Sequence, residues 1–536
     1  MDNEFHFERL VIAAYRLPFK FIKTRKGYSA VQNSGGLVSA ILSLSENFKK
    51  KNNSTFNEKI LWSGLSDNIN DDFAEKKYEN EYFDIVPVNL TQHLNDLYYG
   101  GFCNDLIWPL FHYFPTYSVF NPKYYEAYKE ANSKFCDEII KIVKPGDFIW
   151  VHDYQLMLLP EMIRDRIPEA TIGFFLHIPF PSFEIFRLMP RNWREAIIKG
   201  MLGSDLIGFH THDYAQHFIK SVKRTTGLEC RQNIIYTQNK LVKADAFPIG
   251  IDYEKFNSAC LSKDVLTEKQ KIRNYLSGQK LIFSVDRLDY SKGLLLRLNG
   301  FETFLEKYPE WHSKVVFNMV IVPSRDNIEK YKDMKKEIES IVGRINGKYG
   351  SLAWRPIIYQ YKSLSFHELV ALYDLSDVGL ITPLRDGMNL VAKEYIACQI
   401  ENKGVLILSE MAGASAELNE ALIINPVDNI EMAEAIFKAL VMKPNEKLIR
   451  LERMQKRISS YNVFEWALDF FNQTMEIKKQ QFLTNVRFIN KTISAQIVSD
   501  YRNASRRILF LDYDGTLVSF GKFPEQVTIE RKTLSI

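Results

Sequence analysis

Two cations on one tight turn can neutralise a pyrophosphate, and Val285-Asp286-Arg287-Leu288-Asp289-Tyr290-Ser291-Lys292-Gly293 has that arrangement. An apolar run that reads as a strand precedes it and a helical pattern follows, so Arg287 and Lys292 flank a strand-to-helix turn. Charge-assisted hydrogen bonds there could hold two phosphates without a metal. A surface turn with two solvated bases would look the same. The segment Thr382-Pro383-Leu384-Arg385-Asp386-Gly387-Met388-Asn389-Leu390-Val391-Ala392-Lys393-Glu394-Tyr395 is again a strand, a loop and the opening of a helix. Backbone N–H groups from Met388 to Val391 would form an anion site at that helix N-terminus. Glu394, about one turn inside, is placed to accept from a ribose diol, and Asp386 at the loop tip to accept from sugar hydroxyls. The competing reading makes Asp386 an N-cap and Glu394 a helix-surface charge. Gly387 would permit close backbone approach to a ligand.

Earlier in the chain, Asn33-Ser34-Gly35-Gly36-Leu37-Val38 puts paired glycines at the start of a helix, after a loop carrying Arg16, Lys20, Lys23, Arg25 and Lys26. Trp150-Val151-His152-Asp153-Tyr154-Gln155 and Phe175-Leu176-His177-Ile178-Pro179-Phe180-Pro181 place an acid, Asp153, and an imidazole, His177, after neighbouring strands. A single histidine after a strand is more often a satisfied core residue. Its pairing with two cationic turns favours a site.

These residues need a scaffold that brings distant loops together, and the chain's periodicity supplies one. Short apolar runs alternate with longer segments of helical period, the pattern of parallel sheets flanked by helices. One series of strands is expected at 10–14, 83–88, 148–152, 172–177 and 206–209. A second is expected at 281–285, 316–322, 357–359, 378–381, 405–408 and 422–424. Between them Phe247-Pro248-Ile249-Gly250-Ile251-Asp252 is a Pro/Gly break suited to a hinge. Open parallel sheets collect ligands at the carboxyl ends of their strands, where Arg16, Asp153, His177, Arg287, Arg325, Arg385 and Asp386 fall. The expectation is an α/β chain of two doubly wound domains, 1–250 and 251–460, facing across a cleft. A helix at 461–485 would return to the first domain, and a mostly polar linker would follow from Lys478 to Arg507.

The 536 residues are 46% hydrophobic and 25% charged, which is ordinary globular usage and excludes collagenous, disordered or coiled-coil classes. A net charge of +4 is too small for the whole molecule to be drawn onto nucleic acid or anionic lipid. Cys103, Cys136, Cys230, Cys260 and Cys398 lack any metal-ligand spacing, which argues for free thiols and a cytosolic location. The first apolar run, Leu10 to Tyr15, is too short for a signal segment, and no run approaches the ~18 residues of a membrane span.

Six segments then carry a resemblance: DLYYGGFCNDLIWPLFHY (96–113), WVHDYQLMLLP (150–160), GFFLHIPFPS (173–182), DLIGFHTHDYAQHF (205–218), DRLDYSKG (286–293) and RDGMNLVAKEY (385–395). In order and on strand ends, they resemble the trehalose-6-phosphate synthases, retaining GT-B glycosyltransferases of family 20 that join glucose from UDP-glucose to glucose 6-phosphate. The resemblance implies two Rossmann-like domains and metal-independent transfer without a cofactor. It implies that Arg287 and Lys292 bind the UDP phosphates, that the backbone of Gly387, Met388, Asn389, Leu390 and Val391 assists, and that Glu394 takes the ribose. Asp386 and His177 would hold the donor glucose, and Gly36 would let its loop approach the phosphates. Arg16, Tyr99 and Arg325 would grip the acceptor phosphate, with Trp108 and Asp153 against the acceptor sugar. Of the two retaining routes, a carboxylate nucleophile (Asp153 or Asp386) or front-face attack, the family favours the second. Two segments depart from its pattern. Its Trp-x-Gly-Trp stands here as Trp62-Ser63-Gly64-Leu65, and its Ser-Asn-Arg as Ala14-Tyr15-Arg16, which bears on the acceptor pocket.

Near the C-terminus, 508–517 (ILFLDYDGTL) resembles the first motif of haloacid-dehalogenase-type phosphatases, with Asp512 as nucleophile and Asp514 as acid/base. Only 22 residues follow Asp514, too few for the rest of such a domain, so 486–536 is expected to be linker and an incomplete phosphatase-like segment without activity. A homo-oligomer or a complex with a trehalose-6-phosphate phosphatase would suit the family. Two alternatives stay open: a non-catalytic subunit that senses sugar phosphate, and a related transferase such as a glucosylglycerol-phosphate synthase.

Overall fold

The computed structural model describes residues 7–24, 27–32, 60–65, 83–237, 240–324, 329–483, 491–508, 512, 517–518 and 528–529. Gly36, Arg325, Asp514 and the helix expected after Asn33 lie outside these residues.

The strands are β1 (Arg9–Arg16), β2 (Phe19–Thr24), β3 (Gly27–Gln32), β4 (Ile60–Leu65), β5 (Phe83–Val88), β6 (Asp147–His152), β7 (Thr171–Phe175), β8 (Leu206–Phe209), β9 (Glu229–Arg231), β10 (Ile234–Tyr236), β11 (Leu241–Ala246), β12 (Lys280–Arg287), β13 (Val315–Val322), β14 (Ile357–Tyr361), β15 (Val378–Ile381), β16 (Val405–Ser409) and β17 (Leu422–Ile424). Two sheets organise the chain, one ordered β5-β4-β1-β6-β7-β8-β11-β10-β9 and the other β14-β13-β12-β15-β16-β17; β2 and β3 form a separate hairpin. The second sheet is parallel throughout, and the first is parallel except at its β10 and β9 edge. This is the two-Rossmann GT-B arrangement. The central strands are buried nearly end to end because helices cover both faces, which is why they read as unbroken apolar runs.

Every strand expected from the sequence is present, with bounds within two residues. The structure adds β2 and β3, a hairpin where a charged loop with Lys20 and Lys23 is expected, β4, whose Ser63-Gly64 interrupts its apolar run, and β9 to β11, where short or charged segments hide the pattern. In β11 the polar pair Lys243 and Asp245 points the same way and bridges at 3.2 Å. The expectation of a linker from Lys478 to Arg507 is corrected: one helix continues to Leu483 and a second runs Lys491–Asn503. Gln496 donates to Asp500 at 2.8 Å, a bond at helical spacing, and Ile497, Val498 and Tyr501 of that helix stand exposed. Residues 485–536, with 238–240, form a second unit of which this exposed helix is the main described part. Among the described residues no helix is long and apolar enough to cross a membrane.

The last helix of the main unit, Val463–Leu483, buries Val463, Trp466, Ala467, Phe470, Phe471, Thr474 and Ile477, one stripe at helical spacing. Phe470 stacks on Trp150 of β6 at 5.1 Å, and Trp466 meets the same ring at 5.0 Å. Room for the Phe470 ring comes from two glycines: a Cβ at Gly173 of β7 would sit 2.6 Å from it, and one at Gly208 of β8 2.8 Å. The start of this helix clamps the hinge, since Val463 N donates to Ile251 O at 3.1 Å and a Cβ on Gly250 would fall 2.4 Å from Asn462. The helix thus closes the second domain and locks onto the first. Phe470→Ala should lower stability by about 3–5 kcal/mol, the usual cost of emptying a buried aromatic site, read as a fall in the chemical unfolding midpoint.

Candidate active site

Strand order alone marks two places where ligands collect. In the second sheet the direction of winding reverses between β12 and β15, and in the first between β1 and β6. At such a switch point the loops on either side part and leave a crevice beyond the carboxyl ends. Arg287 ends β12 and the 382–389 loop follows β15, while Arg16 ends β1 and Asp153 follows β6. The expected site residues therefore flank both crevices.

In the second domain the two cationic loops are stitched into one body. Asp289 accepts from Ser291 N at 2.9 Å, closing the turn, and Ser291 O accepts from Leu384 N at 2.7 Å and Arg385 N at 3.2 Å. Beneath them Arg297, which sequence reading missed, is fully buried. It pairs with Asp286 at 2.6 Å and donates to Thr382 Oγ1 at 3.0 Å and Lys292 O at 3.1 Å. Lys292 Nζ meets Asp386 Oδ2 at 2.5 Å, and Asn389 donates to the same oxygen at 3.0 Å. Burial alone would push the Asp386 carboxyl up, but the Lys292 charge and these bonds hold it below its usual range.

Asn389, not Asp386, caps the helix Leu390–Cys398. It takes a φ of 81°, which asparagine tolerates, and its side chain accepts from Ala392 N at 3.1 Å. Asp386 is thereby left to the cleft, and the first N–H groups of the helix, at Leu390 and Val391, point out of its N-terminus. Glu394 is only partly exposed; Tyr373 OH donates to it at 2.9 Å, and burial raises its carboxyl.

In the first domain Asp153 sits in the left-handed region at φ 73°, an uncommon place for a residue with a Cβ. Its backbone N donates to Phe175 O at 2.7 Å, and its Oδ1 accepts from His177 N at 3.2 Å. The turn is held so that the carboxyl leaves the end of β6 and supports the next loop. Burial pushes the Asp153 carboxyl up to about 7, with the Arg287 charge working in the other direction. Burial brings His177 down to about 3, so it is neutral at physiological pH. Tyr99 lies in the π-wound stretch Asp96–Ile107, a winding often found at functional sites. Tyr99 stacks on Tyr15 at 4.3 Å, and the Arg16 guanidinium lies 5.7 Å from both rings.

The two domains meet in a ring of contacts around this chemistry. Trp108 Nε1 donates to Asp289 at 3.4 Å, and Arg287, although exposed, lies 5.9 Å over the Trp108 ring rather than out in solvent. His112, its ring tilted against Trp108 with centroids 4.1 Å apart, is lowered to about 4 by burial and feels the charges of Asp289, Lys292 and Asp386. On the other side Tyr214 OH donates to Asp386 O at 3.2 Å, and Arg385 sits 3.9 Å over Tyr113. Gly387 serves a different close approach from the one expected: a Cβ there would fall 2.3 Å from the carbonyl oxygen of His177, so the glycine lets two backbones meet. His112, Tyr113 and Tyr214 carried no separate signal, though each lies inside a quoted segment. Among the described residues no group of three or more His, Cys, Asp or Glu side chains could hold a metal ion.

Comparison with known proteins bears on this geometry directly. The sequence profile of glycosyltransferase family 20 matches residues 8–476. An α,α-trehalose-phosphate synthase (UDP-forming) A of Dictyostelium discoideum is 41% identical over 528 residues, 98% of this chain and 70% of that protein. A bifunctional trehalose-6-phosphate synthase/phosphatase of Thermoproteus tenax is 40% identical, over 98% of this chain and 72% of its own length. An E. coli structure described as bound with UDP-2-fluoro glucose superposes with a TM-score of 0.79 at 34% identity, covering 87% of this chain and 99% of the other. A Burkholderia xenovorans synthase in complex with glucose-6-phosphate gives 0.78 at 32% identity, covering 87% and 99%. With the profile spanning both sheets, both switch points and the returning helix, the chain belongs to glycosyltransferase family 20.

Proposed function

We propose that this chain is a UDP-forming α,α-trehalose-phosphate synthase, transferring glucose from UDP-glucose to glucose 6-phosphate with retention. The observation that carries the reading is the facing of the Arg287 and Lys292 loops, at one switch point, against Trp108 and Asp153, at the other. Arg287 and Lys292 would take the UDP phosphates, helped by the 387–391 backbone, and Glu394 the ribose. Asp386 and His177 would hold the donor glucose, and Arg16, Tyr99, Trp108 and Asp153 the acceptor, with Gly36 and Arg325 in the roles the family gives them.

The carboxylates favour front-face attack over a covalent intermediate. Asp386 is ionised, but Lys292 and Asn389 both engage its Oδ2, which draws charge from the carboxylate and weakens it as a nucleophile. Asp153 titrates near neutrality and bonds the backbone of residue 177, so it is a poor nucleophile and a good hydroxyl acceptor. Catalysis then falls to the cations that stabilise the departing diphosphate as its charge develops. The free thiols of all five cysteines suit the cytosol. We read 508–517 as the start of a phosphatase-like segment, and the chain as able to self-associate or to join a trehalose-6-phosphate phosphatase.

The direct test is nucleotide release from UDP-, GDP- and ADP-glucose, each crossed with glucose 6-phosphate and glycerol 3-phosphate. UDP-glucose with glucose 6-phosphate should be the active pair. Activity with glycerol 3-phosphate would favour the glucosylglycerol-phosphate alternative, and donor binding without turnover a sensing subunit. Arg287→Ala should lower kcat by about 30- to 1000-fold, or ~2–4 kcal/mol, and leave the unfolding midpoint unchanged because the side chain is exposed. An unchanged kcat would remove its assignment.

A pH dependence follows from Asp153. Its folded pKa, about 7, lies above its ordinary value of 3.8, so the folded chain holds an extra proton between those values and loses stability as pH rises through that window. The ionised form is the one that accepts hydroxyls, so kcat/KM for glucose 6-phosphate should climb through about 7, above the substrate's own ionisation near ~6. Asp153→Asn should remove that limb.

A further inference from the structure

We propose that His152 is a positioning residue for the transfer: bonded to His177, it fixes the His177 proton on Nδ1, so that His177 meets the donor sugar as a hydrogen-bond donor. The proposal rests on the reading that places the donor glucose against His177, and adds what sets that residue's chemistry.

His152 ends β6 and pairs in register with Phe175 at the end of β7, two residues before His177. The two rings lie at 22° with centroids 5.3 Å apart, and His152 Nδ1 is 3.1 Å from His177 Nε2. Asp153, the next residue, holds the His177 backbone N–H. Two adjacent residues therefore grip position 177, one by its ring and one by its main chain.

Burial keeps both imidazoles neutral, so exactly one proton lies between the facing nitrogens and its owner decides the tautomers of both rings. The surroundings of His152 settle the direction. Its Nε2 is sealed from solvent, and among the described residues no side chain or backbone group bonds it. Trp150 packs on His152 at 4.5 Å, and Trp466 packs on Trp150 at 5.0 Å and on His177 at 6.3 Å. Both indole N–H groups are also buried and, among the described residues, find no acceptor. A proton on His152 Nε2 would be a buried donor with no acceptor among the described residues, which costs more than a sealed lone pair. The proton of His152 therefore sits on Nδ1 and is donated to His177 Nε2, and the remaining N–H of His177 is on Nδ1. Of the two rings, His177 belongs to the partly exposed residue. It can donate to a sugar oxygen but cannot accept from a hydroxyl.

The full chain tests this by UDP-release kinetics and UDP binding. His152→Leu should lower kcat/KM for UDP-glucose by about 10- to 100-fold, the loss of one aligned hydrogen bond, while UDP itself binds as before. His152→Asn, whose amide donates from the position of imidazole Nδ1, should recover most of that loss. His152→Leu combined with His177→Leu should be no worse than His177→Leu alone. Multiplied losses in the double variant, or no rescue by Asn, would overturn the proposal. An unaffected His177→Leu would overturn the donor placement, and this proposal with it. Should the Leu variant fold poorly, nitrogen NMR of histidine-labelled wild-type protein reads the tautomer directly, and a proton on His177 Nε2 would refute it.

Discussion

Arg297 has no exposed surface, and its guanidinium gathers three separate pieces of chain: Asp286 near the end of β12, the carbonyl of Lys292 on the following turn, and Thr382 just after β15. A buried cation is tolerable only when its charge and donors are matched, and here the matching partners are the two loops that carry the proposed phosphate-binding groups. Arg287, Lys292 and Asp386 stand on a floor that cannot shift in parts without stranding that charge. Stabilising a departing diphosphate needs cations fixed before the charge appears, and this floor supplies the fixity.

The first domain is brought to that platform by contacts of another kind. Trp108 donates to Asp289, the Tyr113 ring lies under Arg385, Tyr214 donates to the Asp386 carbonyl, and Gly387 admits the His177 backbone. Each is a single bond, a ring face or a van der Waals approach, which suits surfaces that part to admit substrate. The durable link lies behind the cleft. Lys393, on the same helix as Glu394, buries its ammonium between Glu417, at 2.5 Å, and the carbonyl of Ile249 in the hinge, at 2.8 Å. The returning helix clamps residues 250 and 251 of the same hinge. The hinge is thus bonded directly to the helix Leu390–Cys398.

The sequence made the parallel strands plain because burial on both faces leaves unbroken apolar runs, and it drew the candidate site residues because they fall at strand ends and carry charge. What stayed hidden depended on partners far along the chain. β4 is a strand because β1 and β5 flank it, despite Ser63-Gly64. The helix at 491–503 sets Ile493, Ile497, Val498 and Tyr501 at helical spacing, but within a mostly polar stretch that reads as linker. Arg297 and Lys393 look like ordinary helix charges until the fold buries them against Asp286 and Glu417. Asn389 is recognised as the cap from its positive φ and its bond to Ala392 N, which removes the N-cap reading of Asp386.

The segments that depart from the family's pattern show how a pocket can keep its geometry with other residues. Trp62 is fully buried and its indole donates to the carbonyl of Arg16 at 3.1 Å, so the tryptophan shared with the family fixes the backbone that presents the cation. Tyr15, standing where an asparagine is usual, is buried, with its hydroxyl donating to Asn95 at 2.9 Å. That bond locks the ring against rotation, and the ring in turn stacks on Tyr99 at an angle of 7°. The guanidinium of Arg16 then borders two parallel aromatic faces, an arrangement that restricts a flexible cation while leaving its donors available. In the proposed acceptor site the phosphate would meet an arginine and a tyrosine already ordered by stacking, so the departure changes the means of preorganisation and keeps the groups presented.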